Sequence, residues 1–362
     1  MARTREAGEL MQITKTIKLY ALAVLVAVVL AACNGVTENL AFNRDIPSSS
    51  PSEALANCRI IQHLKGETKV CDQPHRIVVL SPSNLELLLA LGAQPAGFAD
   101  YTVWHRSEYD NPTRQIPYLG SRITSQPANL GLDSEPSIEA IFNVQPDLIV
   151  GTGDNASQYE TLSNIAPTLL LSRNVDDIEV SLRALAQALD RLERAEQLIT
   201  ETNQQIVVAR ETFVPVVTAH PKMLLLGAIQ LKELYLGDSN YGLCGSLLEE
   251  LGFQLVKPPE LENSKPDAAV PISLETLSKL NVADSVIMFA GNLNEFNSDN
   301  NFEDHQIEHI KQAWEQDAIA QSLDASKAGR VYFIPAYLCR GLPGPIGTEL
   351  YLEELQQLLL SN

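Results

Sequence analysis

The sequence offers little to a catalyst. Among its 362 residues there is no GxSxG elbow, no HExxH pair and no phosphate-binding P-loop. Gly151-Thr-Gly153 follows a strand-like run but lacks the third glycine of a dinucleotide fingerprint. These absences exclude the motif-bearing hydrolases and nucleotide enzymes, so neither an enzyme nor a resident cofactor is expected. Basic residues are scarce: 26 Lys and Arg against 45 Asp and Glu leave a formal net charge of −19. That sign argues against nucleic acid and anionic headgroups, both of which need clustered cations. Past the N-terminus no apolar run is long enough to span a bilayer, and no internal repeat of solenoid period occurs. Aromatics contribute only 6% of residues, but 45% are apolar, enough for a substantial core divided between about two lobes.

The N-terminus is where export is written. A basic stretch ending at Lys18 precedes an apolar run from Leu19 to Ala32, too short for a comfortable membrane span. It fits the n-region and h-region of a secretory signal. The run ends in Leu30-Ala31-Ala32-Cys33, which resembles the lipobox of bacterial lipoproteins. That resemblance implies cleavage after Ala32, lipid on Cys33, and a protein anchored to the membrane and facing the periplasm or the cell exterior. Residues 1–33 are thus expected to be signal. The serine- and proline-bearing stretch 34–57 is read as a flexible tether.

Four further cysteines remain: Cys58, Cys71, Cys244 and Cys339. Export permits disulfides, and an even count suits two bridges. Two short strand-like runs flank His63-Leu-Lys-Gly66, and a two- or four-residue loop there sets Cys58 opposite Cys71, closing a hairpin over 58–74. Cys244 with Cys339 follows by elimination. A zinc site built from the four is the competing reading, discounted because no CxxC pair exists.

Beyond the hairpin, short apolar runs alternate with helical periods, which predicts a parallel-rich α/β lobe over 75–175. From Asp176 to about Phe213 the periodicity changes. Leu182, Leu185, Leu189, Leu192, Leu198, Ile199, Ile206 and Ala209 recur near 3.6 residues, with no Pro or Gly before Pro215. One helix over 176–214 would exceed about 40 Å and bridge two lobes. The alternation resumes over 215–362. The expected fold class is therefore α/β, with two α/β lobes joined by a single long helix and a ligand cleft between the lobes.

Several segments carry a family likeness. His75-Arg-Ile-Val-Val-Leu-Ser81 followed by Leu85-Glu-Leu-Leu-Leu-Ala-Leu-Gly92 resembles the opening of the ferric-siderophore and cobalamin binding proteins of ABC importers. Ser137-Ile-Glu-Ala-Ile-Phe-Asn-Val-Gln-Pro-Asp-Leu-Ile-Val150 is similar to that family's helix-then-strand signature. Ile165-Ala-Pro-Thr168, Leu248-Glu-Glu-Leu-Gly-Phe253 and Gly344-Pro-Ile-Gly347 are similar to its later landmarks. The likeness runs from about Arg76 to the C-terminus, and the hairpin before Pro74 looks like its iron-chelate branch. It implies a monomeric solute-binding lipoprotein that captures a ferric siderophore and delivers it to a membrane permease. Cobalamin or haem is the alternative ligand, and an exported lipoprotein enzyme or surface-interaction protein the alternative class.

Ligand contacts are expected on loops at the carboxyl ends of strands. Tyr101 and Trp104 offer flat faces, and Arg106 a fork of donors for carboxylate or hydroxamate oxygens. Arg122, Asn155, Gln230, Tyr337 and Arg340 stand on further candidate loops. The bland reading is surface charge for each arginine and lobe packing for Trp104. His305 and His309 are spaced i, i+4, but on a mostly polar helix they read as two exposed histidines, and no metal ligation is expected. The family resemblance also implies one acidic peg on each lobe for permease arginines. Glu86 takes the N-lobe position and Glu249 the C-lobe one, with Glu250 as fallback. Ser83-Asn-Leu-Glu86 is equally a capping-box pattern, which would give Glu86 a local role.

Overall fold

A computed structural model of the chain describes residues 57–102, 107–258, 270–294, 296 and 301–360. Cys33, the stretch 34–56, Trp104 and Arg106 lie outside the described residues.

The chain enters as the hairpin β1 (Cys58–His63) and β2 (Gly66–Cys71), turning on Leu64-Lys65. Cys58 and Cys71 pair directly across it, Cα atoms 3.9 Å apart, and are bridged. The first lobe follows: β3 (Ile77–Val79), α1 (Pro82–Ala90), β4 (Pro95–Asp100), α2 (Pro112–Gln115), β5 (Ala128–Leu132), α3 (Ile138–Val144), β6 (Leu148–Thr152), α4 (Tyr159–Ser163) and β7 (Thr168–Leu171). Its five strands are all parallel, in the order β5-β4-β3-β6-β7. β3 and β6 are buried along their length, as the continuous Ile77-Val-Val and Leu148-Ile-Val runs require of strands covered on both faces. The edge strand β7 is not left open. Leu64 N–H donates to Leu170 O at 2.9 Å, and the Thr68 hydroxyl donates to Thr168 O at 2.9 Å. The disulfide-closed hairpin thus blocks that edge.

The long periodic stretch forms two helices, α5 (Ile178–Ala188) and α6 (Leu192–Ala219), not one. Between them Asp190 adopts a left-handed backbone, φ 58°, and the Arg191 guanidinium donates to Leu91 O at the end of α1. Neither Gly nor Pro marks this break; Asp is among the few residues that tolerate the left-handed region. The linking helix is α6, about 42 Å long, and it continues through Pro215 for a further turn.

The second lobe comprises β8 (Lys222–Ala228), β9 (Leu234–Leu236), α7 (Leu243–Glu250), β10 (Gln254–Leu255), β11 (Val270–Ile272), β12 (Ser285–Ala290), α8 (Phe302–Gln316), α9 (Ala318–Ser322), α10 (Asp324–Lys327), β13 (Val331–Pro335), α11 (Ala336–Gly341) and α12 (Pro345–Leu360). Its sheet runs β11-β9-β8-β12-β13, with β10 beside the start of β8. β8, β12 and β13 are parallel, whereas β9 runs antiparallel to both of its neighbours, β8 and β11. Cys244 on α7 is bridged to Cys339 on α11. α12 belongs to both lobes. Tyr351 packs on Phe289 and donates to Cys244 O at 3.0 Å, while the helix start meets α1 of the first lobe.

Candidate functional site

In the first sheet the chain runs outward from β3 to β4 and β5, then returns to β6 on its other side. A crevice is expected at the carboxyl ends of such strands, where the order reverses. The residues there are Asp100 at the end of β4, Asp133 after β5, Asp154 after β6 and Arg173 after β7. The carboxyl end of β13 in the other lobe leads straight into α11, which carries Tyr337 and Arg340.

These ends face each other. Tyr337 Oη lies 3.2 Å from both carboxylate oxygens of Asp100 and donates to them. Tyr101 Oη donates to Gly341 O at 3.5 Å, and the Tyr101 and Tyr337 rings meet edge-on at 5.8 Å. Tyr118 stacks on Tyr337 at 6.1 Å and meets Phe302 edge-on at 5.9 Å. The floor of the crevice is therefore aromatic and drawn from both lobes. Burial pushes the phenols of Tyr101, Tyr118 and Tyr337 well above their ordinary range, so all three stay neutral donors. Tyr118 holds its place with a left-handed backbone, φ 58°, an uncommon conformation for a bulky side chain and one that concentrates at binding sites.

Two arginines stand on opposite rims. Arg173 is bonded to Asp154 at 2.8 Å, lies 3.9 Å from Asp133 and sits over the Tyr101 ring at 5.8 Å. Burial raises the Asp133 carboxyl above its usual value, and Arg173 works against that shift. Arg340 is exposed and lies over the Tyr241 ring, 4.5 Å from its centroid. The close approach of Tyr241 to β8 needs Gly227: a Cβ there would sit 2.1 Å from the tyrosine oxygen.

Of the residues singled out from sequence, Tyr101, Tyr337 and Arg340 line this crevice, and Gln230 is exposed at the carboxyl end of β8. Two others do not. Arg122 precedes β5 and so lies at the amino end of the sheet. There it pairs with Glu349 of α12 at 3.1 Å and borders a hollow of about 620 Å³ beside α6. Asn155 is fully buried: its Oδ1 accepts from Thr152 N–H at 2.9 Å and its Nδ2 donates to Asp133 O at 2.7 Å. Both ends of that amide are committed to holding the turn after β6. Sequence reasoning passed over Arg173, although it follows β7 in the same way that Arg340 follows β13. Tyr118 and Phe302 carried no such signal, since they reach the crevice from a turn and a helix start.

The acidic pegs also divide. Glu86 is completely buried, and its carboxylate accepts from Gly344 N–H at 2.9 Å and Gly347 N–H at 2.6 Å. A permease cannot reach it. Nor does it form a capping box with Ser83, because Ser81 caps α1 by accepting from Asn84 N–H. Glu249 is exposed on α7. Glu250 is exposed too, while its backbone carbonyl accepts from Arg210. The histidines point to separate partners. His305 meets Phe296 and the Gln306 amide, whereas His309 Nε2 lies 2.9 Å from Ile229 O. Among the described residues no group of three His, Cys, Asp or Glu is placed to hold a metal ion.

The sequence profile of periplasmic binding proteins matches residues 77–338. The chain belongs to the periplasmic binding protein family. Among relatives of this binding protein, the Fe(3+)-citrate-binding protein YfmC of Bacillus subtilis (strain 168) is 27% identical over 316 residues, covering 86% of this chain and 88% of that one. YhfQ of the same organism, whose name places it among ABC transporter substrate-binding lipoproteins, is 25% identical over 344 residues, covering 92% and 94%. The crystal structure of Staphylococcus aureus SirA complexed with staphyloferrin B superposes with a TM-score of 0.65 at 20% identity, covering 83% of this chain and 98% of that one. That likeness extends to the fold.

Proposed function

We propose that this binding protein is the solute receptor of an ABC importer, capturing a ferric siderophore or a similar oxygen-rich iron chelate and presenting it to the permease. The observation that carries the reading is the crevice itself: a tyrosine floor shared by both lobes, with Arg173 and Arg340 on opposite rims. Anionic chelate oxygens accept charge-assisted bonds from guanidinium forks, and the aromatic faces cover the apolar body of the ligand. Arg173 exchanges its bond to Asp154 for one to the chelate. The reading is of a carrier and not an enzyme, since a ligand held this way is gripped without being transformed. The name of YfmC points to the same ligand class, iron(III) held by citrate.

Lipidation at Cys33 would tether the protein at the membrane surface, where a single copy serves the permease. Glu249 remains the C-lobe peg in this reading. For the N-lobe we take Glu139, exposed in the first turn of α3, with Phe142 exposed one turn on. An exposed carboxylate beside an exposed large apolar side chain suits a cationic, partly apolar partner surface. A strain lacking the protein should lose uptake of radiolabelled ferric chelate and regain it from a plasmid copy. Unchanged uptake of every ferric chelate tried, with lost uptake of cobalamin or haem, would transfer the protein to the other ligand class.

A further inference from the structure

The buried carboxylate of Glu86 does a job that the crevice does not explain. It projects from the middle of α1, in the first lobe, into the start of α12, which the second lobe holds through Tyr351. There it accepts from two backbone amides, Gly344 and Gly347, on either side of the Pro345 that opens the helix. The first N–H groups of a helix have no partner within it, and a carboxylate satisfies them well because the helix dipole favours negative charge there. Such caps are normally supplied by the residue next to the helix. This one comes from the other lobe, more than 250 residues away in sequence.

The segment between the crevice and this cap is short. Tyr337 and Arg340 lie on α11, Cys339 between them is bridged to Cys244, and Leu342 to Gly344 lead directly into α12. This strap is therefore held by the second lobe through Cys339 and by the first lobe at both ends. Tyr337 and Gly341 bond Asp100 and Tyr101 at one end, and Gly344 and Gly347 bond Glu86 at the other. There is no room for slack: a Cβ on Gly344 would sit 2.8 Å from Leu87 and 3.1 Å from Glu86.

Resting on the ligand-binding reading above, we propose that Glu86 is a positioning residue: by capping α12 from the opposite lobe it fixes Tyr337 and Arg340 against the N-lobe rim, so that chelate affinity depends on a group the chelate never touches. The charge is kept at a cost. Burial raises the Glu86 carboxyl to about 7, even though three backbone N–H groups and Arg122 oppose the shift. Arg122 is itself paired with Glu349 of α12, and Arg194 and Glu201, paired with each other along α6, line the same hollow. A carboxylate that accepts two N–H bonds becomes, on protonation, a group with a donor facing one of them.

The test compares the full-length wild type with Glu86→Gln, checked for intact disulfides and native circular dichroism. Amide exchange is followed at Gly344 and Gly347, and affinity for ferric citrate, or whichever ferric chelate the wild type binds, is measured at pH 8. We expect both amides to exchange at least tenfold faster in the variant, and its Kd to be at least fivefold higher. A Kd within twofold of wild type, or amides that keep their protection, overturns the proposal. If Glu86→Gln fails to fold, Glu86→Asp, which keeps the charge but shortens its reach, is measured in its place, and wild-type exchange and affinity there count against the idea. A wild type that binds no ferric chelate contradicts the transport reading instead, and leaves exchange to decide the cap.

Discussion

Arg340 and Arg173 play the same part in the proposed reading, although only Arg340 stood out in the sequence. Replacing either by Ala should then remove a charge-assisted bond to the chelate and weaken binding by about 1.5–3 kcal/mol. Both are exposed, so thermal stability should hardly move. Arg122→Ala should leave affinity within about twofold, because Arg122 sits at the other end of the sheet; equal losses for all three would mean that the rim has been misassigned. Asn155 behaves in the opposite sense. Its replacement by Ala strands the Thr152 N–H and the Asp133 carbonyl, both paired through it, and should cost about 2–3 kcal/mol of stability in a denaturant titration. Glu86 adds a pH dependence. Its folded-state pKa, about 7, lies above the ordinary 4.5, so the folded form binds the proton more readily. The group's contribution to stability is present below pH 4.5, fades as pH rises toward 7, and is flat above that. Glu86→Gln should lose that slope. These differences show where the sequence was legible at this scale. A residue's place after a strand could be counted out, and it put Tyr101, Tyr337 and Arg340 beyond the carboxyl ends of their strands. Whether its side chain was free could not be counted, because Asp133 lies 22 residues from Asn155 and the partners of Glu86 lie 258 and 261 residues away.

At the scale of elements, the patterned segments came through and the short ones did not. Ile77-Val-Val and Leu148-Ile-Val declared themselves as strands by being apolar throughout, since both faces of the first sheet are covered. Ala128-Asn-Leu-Gly-Leu132 forms edge strand β5 with a single fully buried residue, so it offered no comparable run. β10 and β11 have two and three residues and owe their pairing to β8 and β9. Helical periodicity spoke for 178–219 but could not reveal the break at Asp190, which a left-handed residue and the Arg191 contact impose from outside the helix. The hairpin was legible because cysteine spacing and strand pairing agreed. Its bridge closes a short loop and should contribute about 3 kcal/mol in the chain-entropy picture. Replacing Cys58 and Cys71 together by Ser should lower stability by up to that amount while the chelate Kd stays unchanged, since the bridge joins the strand ends away from the Leu64-Lys65 turn that meets β7. A changed Kd would place the hairpin in the ligand path.

For the whole molecule, the alternation of strands and helices around one long helix was enough to foresee two α/β lobes, because each βα unit is stabilised locally. How the lobes meet was not legible. Their junction depends on Tyr118 in a left-handed turn, on Phe302 at a helix start and on the Glu86 cap, three features that no period encodes. Docking belongs to this scale. Reversing Glu139 and Glu249 to Lys should set like charges against the permease and cut chelate uptake at least tenfold, with the Kd of the isolated protein unchanged. Uptake at the wild-type rate would remove both pegs. Cys33→Ala should leave the protein out of the lipidated membrane fraction, as read by metabolic labelling with a fatty-acid analogue; label retained by the variant would place the lipid elsewhere. The central claim is that the crevice holds a ferric chelate, and direct titration tests it most simply. Quenching of tyrosine and tryptophan fluorescence should saturate at one equivalent with at least one of ferric citrate, a ferric hydroxamate and a ferric catecholate, and Arg173→Ala and Arg340→Ala should shift that curve to weaker binding. No quenching by any ferric chelate, alongside saturable quenching by haem or cobalamin, would contradict the account.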